Sequence, residues 1–361
     1  MIDPSESPLI QTAPDREKFD LNLAGREISL FHISNSGNIH LYLTNYGSRI
    51  VSLLVPDKTG KTANVVLGYD SVQGYIHSNE TYFGATIGRF ANRIANGSFK
   101  LNNKKYTLPC NEYPHHLHGG PGGLHSVVWD IIDVHKNKLV LRYLSEDGDN
   151  GYPGNLDITV SFSLNNDGEL IIDYRAKTDK TTIINLTNHA FFNLSGAGTG
   201  SVADHLLTIN AHSFTPVDEI MIPTGEIRCV ESGPFDFRAD KPMGRDWDID
   251  HPQLMIAGGY DHNYVLNKTG AGKPEFAARV TEPVSGRILE LETTEPGLQF
   301  YTANALDGAD IGREGVPYES RTAFCLEPQH FPDSPNQPAF PGVILEPGEI
   351  FKSTSVYRFK I

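Results

Sequence analysis

The sequence predicts an all-β chain, a large antiparallel β-sandwich, on three observations. The first is period-two alternation: Ile158, Val160, Phe162 and Leu164 interleave with Asp157, Thr159, Ser161 and Ser163, as a strand with one buried face requires. The second is turn chemistry. Ile172, Tyr174 and Ala176 alternate in the same way with Asp173, Arg175 and Lys177, and the residues between the two runs, Asn165, Asn166, Asp167 and Gly168, suit a tight turn. The pair therefore reads as a hairpin. The third is that amphipathic windows of helical period are scarce, while 34 Gly and 23 Pro break the chain into short segments. Further strands are expected at Leu139 to Tyr143, Ile288 to Glu292, Thr322 to Leu326 and Tyr357 to Ile361.

A chain of 361 residues fits one large β domain or two ordinary ones, and no shift in composition marks an internal boundary. Residues 1–18 are expected to form a loosely held arm and residues 19–361 a single β-sandwich domain. The Pro-rich segment Asp333 to Pro341 is followed by another strand-like run, so it reads as a rigid loop inside that domain. A hydrophobic content of 39% supplies a sizeable core, and a formal charge of −14 without long runs implies an acidic surface that repels nucleic acid and anionic membrane. Cys110, Cys229 and Cys325 are few, odd in number and far apart, which argues against a disulfide framework and for a reducing compartment, the cytoplasm. No apolar stretch reaches the roughly 18 residues that a spanning helix needs. The first residues show neither a basic nor an apolar leader region, so no export signal is expected.

The chemistry gathers in short motifs. In TNHAFFNL, Thr187 to Leu194, His189 follows the apolar run Thr181 to Leu186 and should sit near a strand end, with the amides of Asn188 and Asn193 at hand to orient it. In FCLEPQHFPD, Phe324 to Asp333, Glu327 follows a strand-like run and should project at a rim, Pro328 helping to end the strand. An imidazole and a carboxylate have ordinary pKa values of about 6.5 and about 4.3, so near neutral pH one can give a proton while the other takes one. Such a pair suits moving a hydrogen between two oxygens of one substrate. Taken singly, His189 reads better as a core histidine and Glu327 as a surface glutamate.

Other motifs offer a grip. GRFANRIANGSF, Gly88 to Phe99, brings Asn92 and Arg93 together as directed donors for hydroxyl groups, although Arg93 would also serve as the structural partner of a carboxylate. In HHLHGGPGG, His115 to Gly123, His116 and His118 would share one face of an extended strand. Zinc would need a third ligand and a supporting shell, which no HExxH helix or cysteine pair provides, so a sugar-contacting or loop-packing role is preferred and no metal is expected. The glycines here and in SGAGTG, Ser195 to Gly200, lack the Lys-Ser/Thr tail of a phosphate loop. YDHNYVL, Tyr260 to Leu266, and PGLQFYT, Pro296 to Thr302, each set one polar side chain, Asp261 and Gln299, among aromatics. That suits a polyhydroxylated ring, or a strand packed in a core.

Taken in order, GRFANRI, HHLHGG, TNHAFFNL, YDHNYVL, PGLQFYT and LEPQHFPDSPN resemble the aldose 1-epimerase (galactose mutarotase) family over about residue 40 to residue 361. The resemblance implies a large antiparallel supersandwich and an isomerase that interconverts the α and β anomers of free aldoses such as glucose and galactose. It implies His189 as general acid and Glu327 as general base, with Asn92, Arg93, His118, Asp261 and Gln299 binding substrate. No cofactor is implied, and the partner is a small aldose, the chain being a monomer or homodimer. His116 receives no role, and Phe191 and Phe192 stand where many relatives have Tyr. At neutral pH, Glu327 is expected ionised and His189 protonated, with Asp261 raising the imidazole pKa. Binding is expected to be loose, with KM at or above about 1 mM. The alternatives are a hexose-6-phosphate 1-epimerase, which needs a basic cluster where the motifs supply only Arg93, and a non-catalytic carbohydrate-binding sandwich. A glycosidase normally wants two carboxylates flanking the bond.

Overall fold

Strands dominate the computed structural model, which describes residues 13–361. The largest sheet has nine strands in the order Asp130–His135, Lys138–Ser145, Leu156–Leu164, Glu169–Thr178, Phe351–Lys360, Ile288–Thr293, Glu275–Thr281, Leu206–Ile209 and Lys241–Pro242. Neighbouring strands in it are antiparallel. The expected hairpin lies at its heart and runs longer than the alternation alone marked, from the pair Leu156 and Thr178 to the pair Leu164 and Leu170. Burial along it alternates residue by residue. Ile158, Val160, Phe162 and Ile172 are fully or almost fully buried, each worth about 1.5–3 kcal/mol in transfer out of water.

The second sheet has six strands, labelled here in chain order: β1 Phe191–Phe192, β2 Ala211–Thr215, β3 Arg228–Cys229, β4 Asp261–Leu266, β5 Gly297–Tyr301 and β6 Phe324–Gln329. Their spatial order is β1-β6-β5-β4-β2-β3, again antiparallel. Side chains from both sheets, and from a four-stranded sheet that includes Arg49–Pro56, meet in one continuous apolar core. Among the described residues only two α-helices occur, Val72–His77 and Pro252–Ala257, and none is long and apolar enough to cross a membrane.

Two sequence readings need correction. The run expected at Thr322 to Leu326 starts at Phe324 and continues through Glu327 and Pro328 to Gln329, so Glu327 sits inside a strand and not at its end. Pro328 is tolerated because β1 pairs only with Phe324 and Cys325, leaving β6 with β5 as its single ladder neighbour farther along. The other correction concerns His118: the extended segment there is only His116–Leu117, and His118 turns away with φ 52°, so the two histidines do not share a strand face.

Of the expected N-terminal arm, residues 1–12 lie outside the described residues. Residues Arg16–Phe19 form one 3-10 turn, capped by the Asp15 carboxylate on the Glu17 N–H, and Phe19 is buried within 6.4 Å of the Tyr75 ring. The Pro-rich segment after Asp333 turns through Ser334–Asn336. Asp333 donates its N–H to the Arg93 carbonyl at 2.8 Å and accepts from the Ala95 N–H at 2.9 Å, bracing the GRFANRI segment.

Candidate active site

Strand alternation builds the site. On the six-stranded sheet Phe324, Leu326, Leu298, Phe300 and Tyr264 face the core. Their neighbours in sequence must then face the other way. Register places Glu327 opposite Gln299, Cys325 opposite Tyr301, Tyr301 opposite Asp261 and Phe191 opposite Cys325, all on that second face. Three strands far apart in sequence thus present Glu327, Gln299, Tyr301, Asp261 and Cys325 to one side.

His189 reaches the same place from the break between Thr187–Asn188 and β1. Its backbone is pinned at both groups, the N–H donating to the Ala85 carbonyl and the C=O accepting from the Gly84 N–H, each at 2.9 Å. The ring lies between Phe191, stacked at 4.8 Å, and Tyr82, stacked at 5.9 Å, with Tyr301 and His118 meeting it edge-on. Asn188 and Asn193 do not orient it, contrary to the sequence reading. Their amides donate to the carbonyls of Gly84, Gly200 and Thr322.

Nε2 of His189 stands 3.6 Å from Oε2 of Glu327, and both side chains are buried. That carboxylate oxygen has no hydrogen-bond partner among the described residues. The two groups line a cavity of about 510 Å³ together with Asn92, Arg93, His118, Asp261, Tyr82, Tyr301, Glu80 and Glu112, while Met255, Ile256 and Ala257 of the short helix form part of its wall. Six of the seven residues singled out in the sequence therefore border one cavity. The seventh, Gln299, does not line it; its amide donates to Oδ1 of Asp261 at 2.6 Å and receives the Gln329 amide at 3.3 Å.

Asn92 and His118 hold each other. The Asn92 N–H donates to Nδ1 of His118 at 3.1 Å, the His118 N–H donates to the Asn92 carbonyl at 3.2 Å, and both residues have left-handed backbones, φ 68° and 52°. Gly119, next in sequence, has φ 83°, and a Cβ there would lie 1.8 Å from the Gly88 carbonyl oxygen. The glycine is what lets the HHLHGG and GRFANRI motifs touch. Arg93 makes a bidentate pair with Glu112, Nε to Oε2 at 2.6 Å and Nη2 to Oε1 at 2.8 Å, and lies 3.8 Å from Asp261. Arg89 is structural: it donates to Ser145 and to the carbonyls of Glu146, Pro153 and Gly154. His116 is held between the Pro109 carbonyl and the Tyr152 hydroxyl, each at 2.7 Å. Among the described residues no group of three His, Cys, Asp or Glu side chains is placed to hold a metal ion.

Burial sets the electrostatics. It pushes the His189 imidazole down to about 3, and a backbone acceptor recovers only part of that shift. The Glu327 carboxyl is pushed well above the ordinary carboxylate range by burial first, then by the charges of Asp261 and Glu80, with Arg93 opposing. The expectation of a protonated imidazole is thus reversed, because burial favours the neutral form of each partner and taking a charge out of water costs several kcal/mol. Asp261 acts on Glu327 and pairs with Arg93; it does not raise the His189 pKa. Glu80, absent from the sequence reading, is pushed up to about 7 by burial, with Asp310 adding and the Tyr82 N–H and Arg49 opposing. Tyr82, Tyr301, Glu112 and Cys325 were also missed. Tyr301 lies inside PGLQFYT and Cys325 inside FCLEPQHFPD, whereas Glu80, Tyr82 and Glu112 sit in segments with no pattern of their own.

A buried imidazole and carboxyl group facing one polar cavity on a β-sandwich define a class: a proton-transfer site of a size to admit a monosaccharide. The aldose 1-epimerase family model matches residues 29–358. The chain is 43% identical over 342 residues to the galactose mutarotase of Bos taurus, covering 95% of this chain and 97% of that one, and 36% identical to the aldose 1-epimerase of Escherichia coli K12, covering 93% and 96%. A solved aldose epimerase homologue from C. elegans superposes with a TM-score of 0.85 at 32% identity, covering 92% of this chain and 99% of that one. This chain belongs to the aldose 1-epimerase family and is an isomerase.

Proposed function

We propose that this enzyme interconverts the α and β anomers of free aldoses, glucose and galactose among them, with Glu327 as general base and His189 as general acid. The observation that carries the assignment is the 3.6 Å separation of Nε2 and Oε2 at the wall of one cavity. The two oxygens to be served, the anomeric hydroxyl and the ring oxygen, are bonded to the same carbon, so two groups this close can attend to both.

The pair works with one shared proton. In the opening step Glu327 takes the proton of the anomeric hydroxyl, Nε2 of His189 gives its proton to the ring oxygen, and the bond from C1 to that oxygen breaks to leave an aldehyde. Rotation about C1–C2 turns the other carbonyl face toward the hydroxyl. Closure reverses both transfers. After opening, the proton is on Glu327 and the imidazole is neutral, the distribution that burial favours. To begin a turnover the same proton crosses to Nε2, a shift aided by sugar hydroxyls that solvate the charges and by Arg93. One positioned acid or base contributes about 10² to 10⁴, so the pair supplies roughly 10⁴ to 10⁸ if the effects multiply.

Asn92, Arg93, His118 and Asp261 are placed to bind sugar hydroxyls, with Gln299 acting through Asp261. The charge balance favours a neutral sugar over a hexose 6-phosphate. Glu80, Glu112, Asp261 and Glu327 line the cavity, and the one guanidinium among its described lining residues, Arg93, is already held by Glu112. Polarimetry on freshly dissolved α-D-glucose, α-D-galactose and glucose 6-phosphate tests this directly. Faster decay of rotation for the free sugars and little for the phosphate supports the reading; preference for the phosphate, or release of new reducing ends from a disaccharide, contradicts it. With an acidic surface and three free, widely spaced cysteines, the cytoplasm is its proposed compartment.

A further inference from the structure

The strand that carries Glu327 carries a second group to the same imidazole. Cys325 lies two residues earlier on β6, on the same face, and its Sγ is 3.5 Å from Nδ1 of His189, while Oε2 of Glu327 is 3.6 Å from Nε2. One strand therefore meets both ring nitrogens. We propose that Cys325 is a positioning residue: its sulfur accepts the Nδ1–H of His189 and so keeps Nε2 as the nitrogen that gives and takes the proton.

Geometry carries this assignment, on the reading of His189 and Glu327 as acid and base. A histidine that exchanges a proton through Nε2 must keep a hydrogen on Nδ1 throughout, and which tautomer is present follows from the partner of the other nitrogen. At Nδ1 that side-chain partner is Sγ of Cys325, which stands on the same side of the ring as the residue's own carbonyl. The ring cannot easily turn to find another, being stacked on Phe191 and Tyr82 with its backbone pinned to Ala85 and Gly84. Cys325 itself is fully buried, faces Tyr301 in register and sits in an apolar cluster with Phe191, Phe83 and Tyr318. Burial holds its thiol well above the ordinary range, so it stays a thiol and is no nucleophile.

The choice of element has a chemical consequence. A carboxylate at Nδ1 would stabilise the imidazolium strongly, as in triads of serine hydrolases. Sulfur is a weak acceptor: it fixes the tautomer with little bias toward the charged form. That fits an imidazole that must be cheap to deprotonate as well as to protonate, since ring opening and closure use it in opposite senses.

Ring ¹⁵N–¹H correlation spectra of His189 in the free wild-type enzyme test the proposal without reference to activity. The Nδ1–H tautomer should predominate, and Cys325→Ala should shift the ring toward a mixture. In rotation assays Cys325→Ala should lower kcat about tenfold with KM unchanged, and Cys325→Ser, which keeps an acceptor, should recover part of the loss. A predominant Nε2–H tautomer in the wild type overturns the proposal, and so does a Cys325→Ala enzyme with wild-type kcat. If instead His189→Asn retains full activity, it is the assignment of His189 as the acid that fails.

Discussion

Gln299 and Glu327 sit opposite each other on adjacent antiparallel strands, yet only Glu327 borders the cavity, while Gln299 spends its amide on Asp261. The sheet thus divides its polar residues into one set that faces the cavity and another that supports those facing it. Replacing Gln299 by Ala should free Asp261 to rotate. KM is expected to rise about tenfold, equivalent to about 1.4 kcal/mol, with kcat within a few-fold of wild type. Initial rates across sugar concentration check this; a loss confined to kcat would place Gln299 in the chemical step.

The dependence on pH follows from the shared proton. A second proton joins the pair only when pH falls through the depressed His189 value of about 3, and the shared one leaves only when pH rises through the elevated Glu327 value. The plateau of kcat/KM should therefore be wide, with no acid limb in the ordinary imidazole range near about 6.5. An acid limb centred there would show that His189 is not held neutral in the free enzyme.

Asp261 and Glu80 raise the Glu327 pKa after burial has done so. Removing either negative charge makes the ionised form of Glu327 easier to reach, so Asp261→Asn and Glu80→Gln should each move the alkaline limb of kcat/KM to lower pH. The acid limb should stay put, because neither group acts on His189. Glu80 gains its own charge near pH 7, so a shallow inflection there should vanish in Glu80→Gln. Profiles whose alkaline limbs superpose on wild type would rule out this coupling.

Gly119→Ala should cost both stability and activity. Its φ of 83° penalises any side chain, and the Gly88 carbonyl 1.8 Å from the new Cβ would have to move, separating the segments that carry Asn92 and His118. A strained backbone of this kind costs about 1–3 kcal/mol. Thermal melts should show a lowered Tm, and the sugar KM should rise; an unchanged Tm with wild-type kinetics would show that the contact relaxes freely.

Much of this could be read from the chain because Asp261, Gln299 and Glu327 lie on strands, and Asn92, Arg93 and His189 lie on or beside short ones. The hairpin around Asn165 to Gly168 is a local pattern, and the polar positions of PGLQFYT and YDHNYVL stand out against aromatic neighbours. Glu327 was legible as a residue but not in its setting, since Pro328 looks like a strand breaker until the short length of β1 is known. Glu80, Glu112 and Cys325 were silent, because their roles come from long-range register and loop packing. The direction of the proton was also misread. Ordinary pKa values assume water, and neither the burial of His189 nor the alliance of Asp261 with Arg93 is written in their local sequence.

The most direct test is the optical rotation of freshly dissolved α-D-galactose at neutral pH with wild-type enzyme and with Glu327→Gln, the fold of each checked by circular dichroism. Wild type should speed the decay of rotation well beyond buffer, and the folded variant should fall by about 10² to 10⁴, toward the uncatalysed rate. A folded Glu327→Gln enzyme that mutarotates as fast as wild type would contradict the central claim that this buried carboxylate moves the anomeric proton.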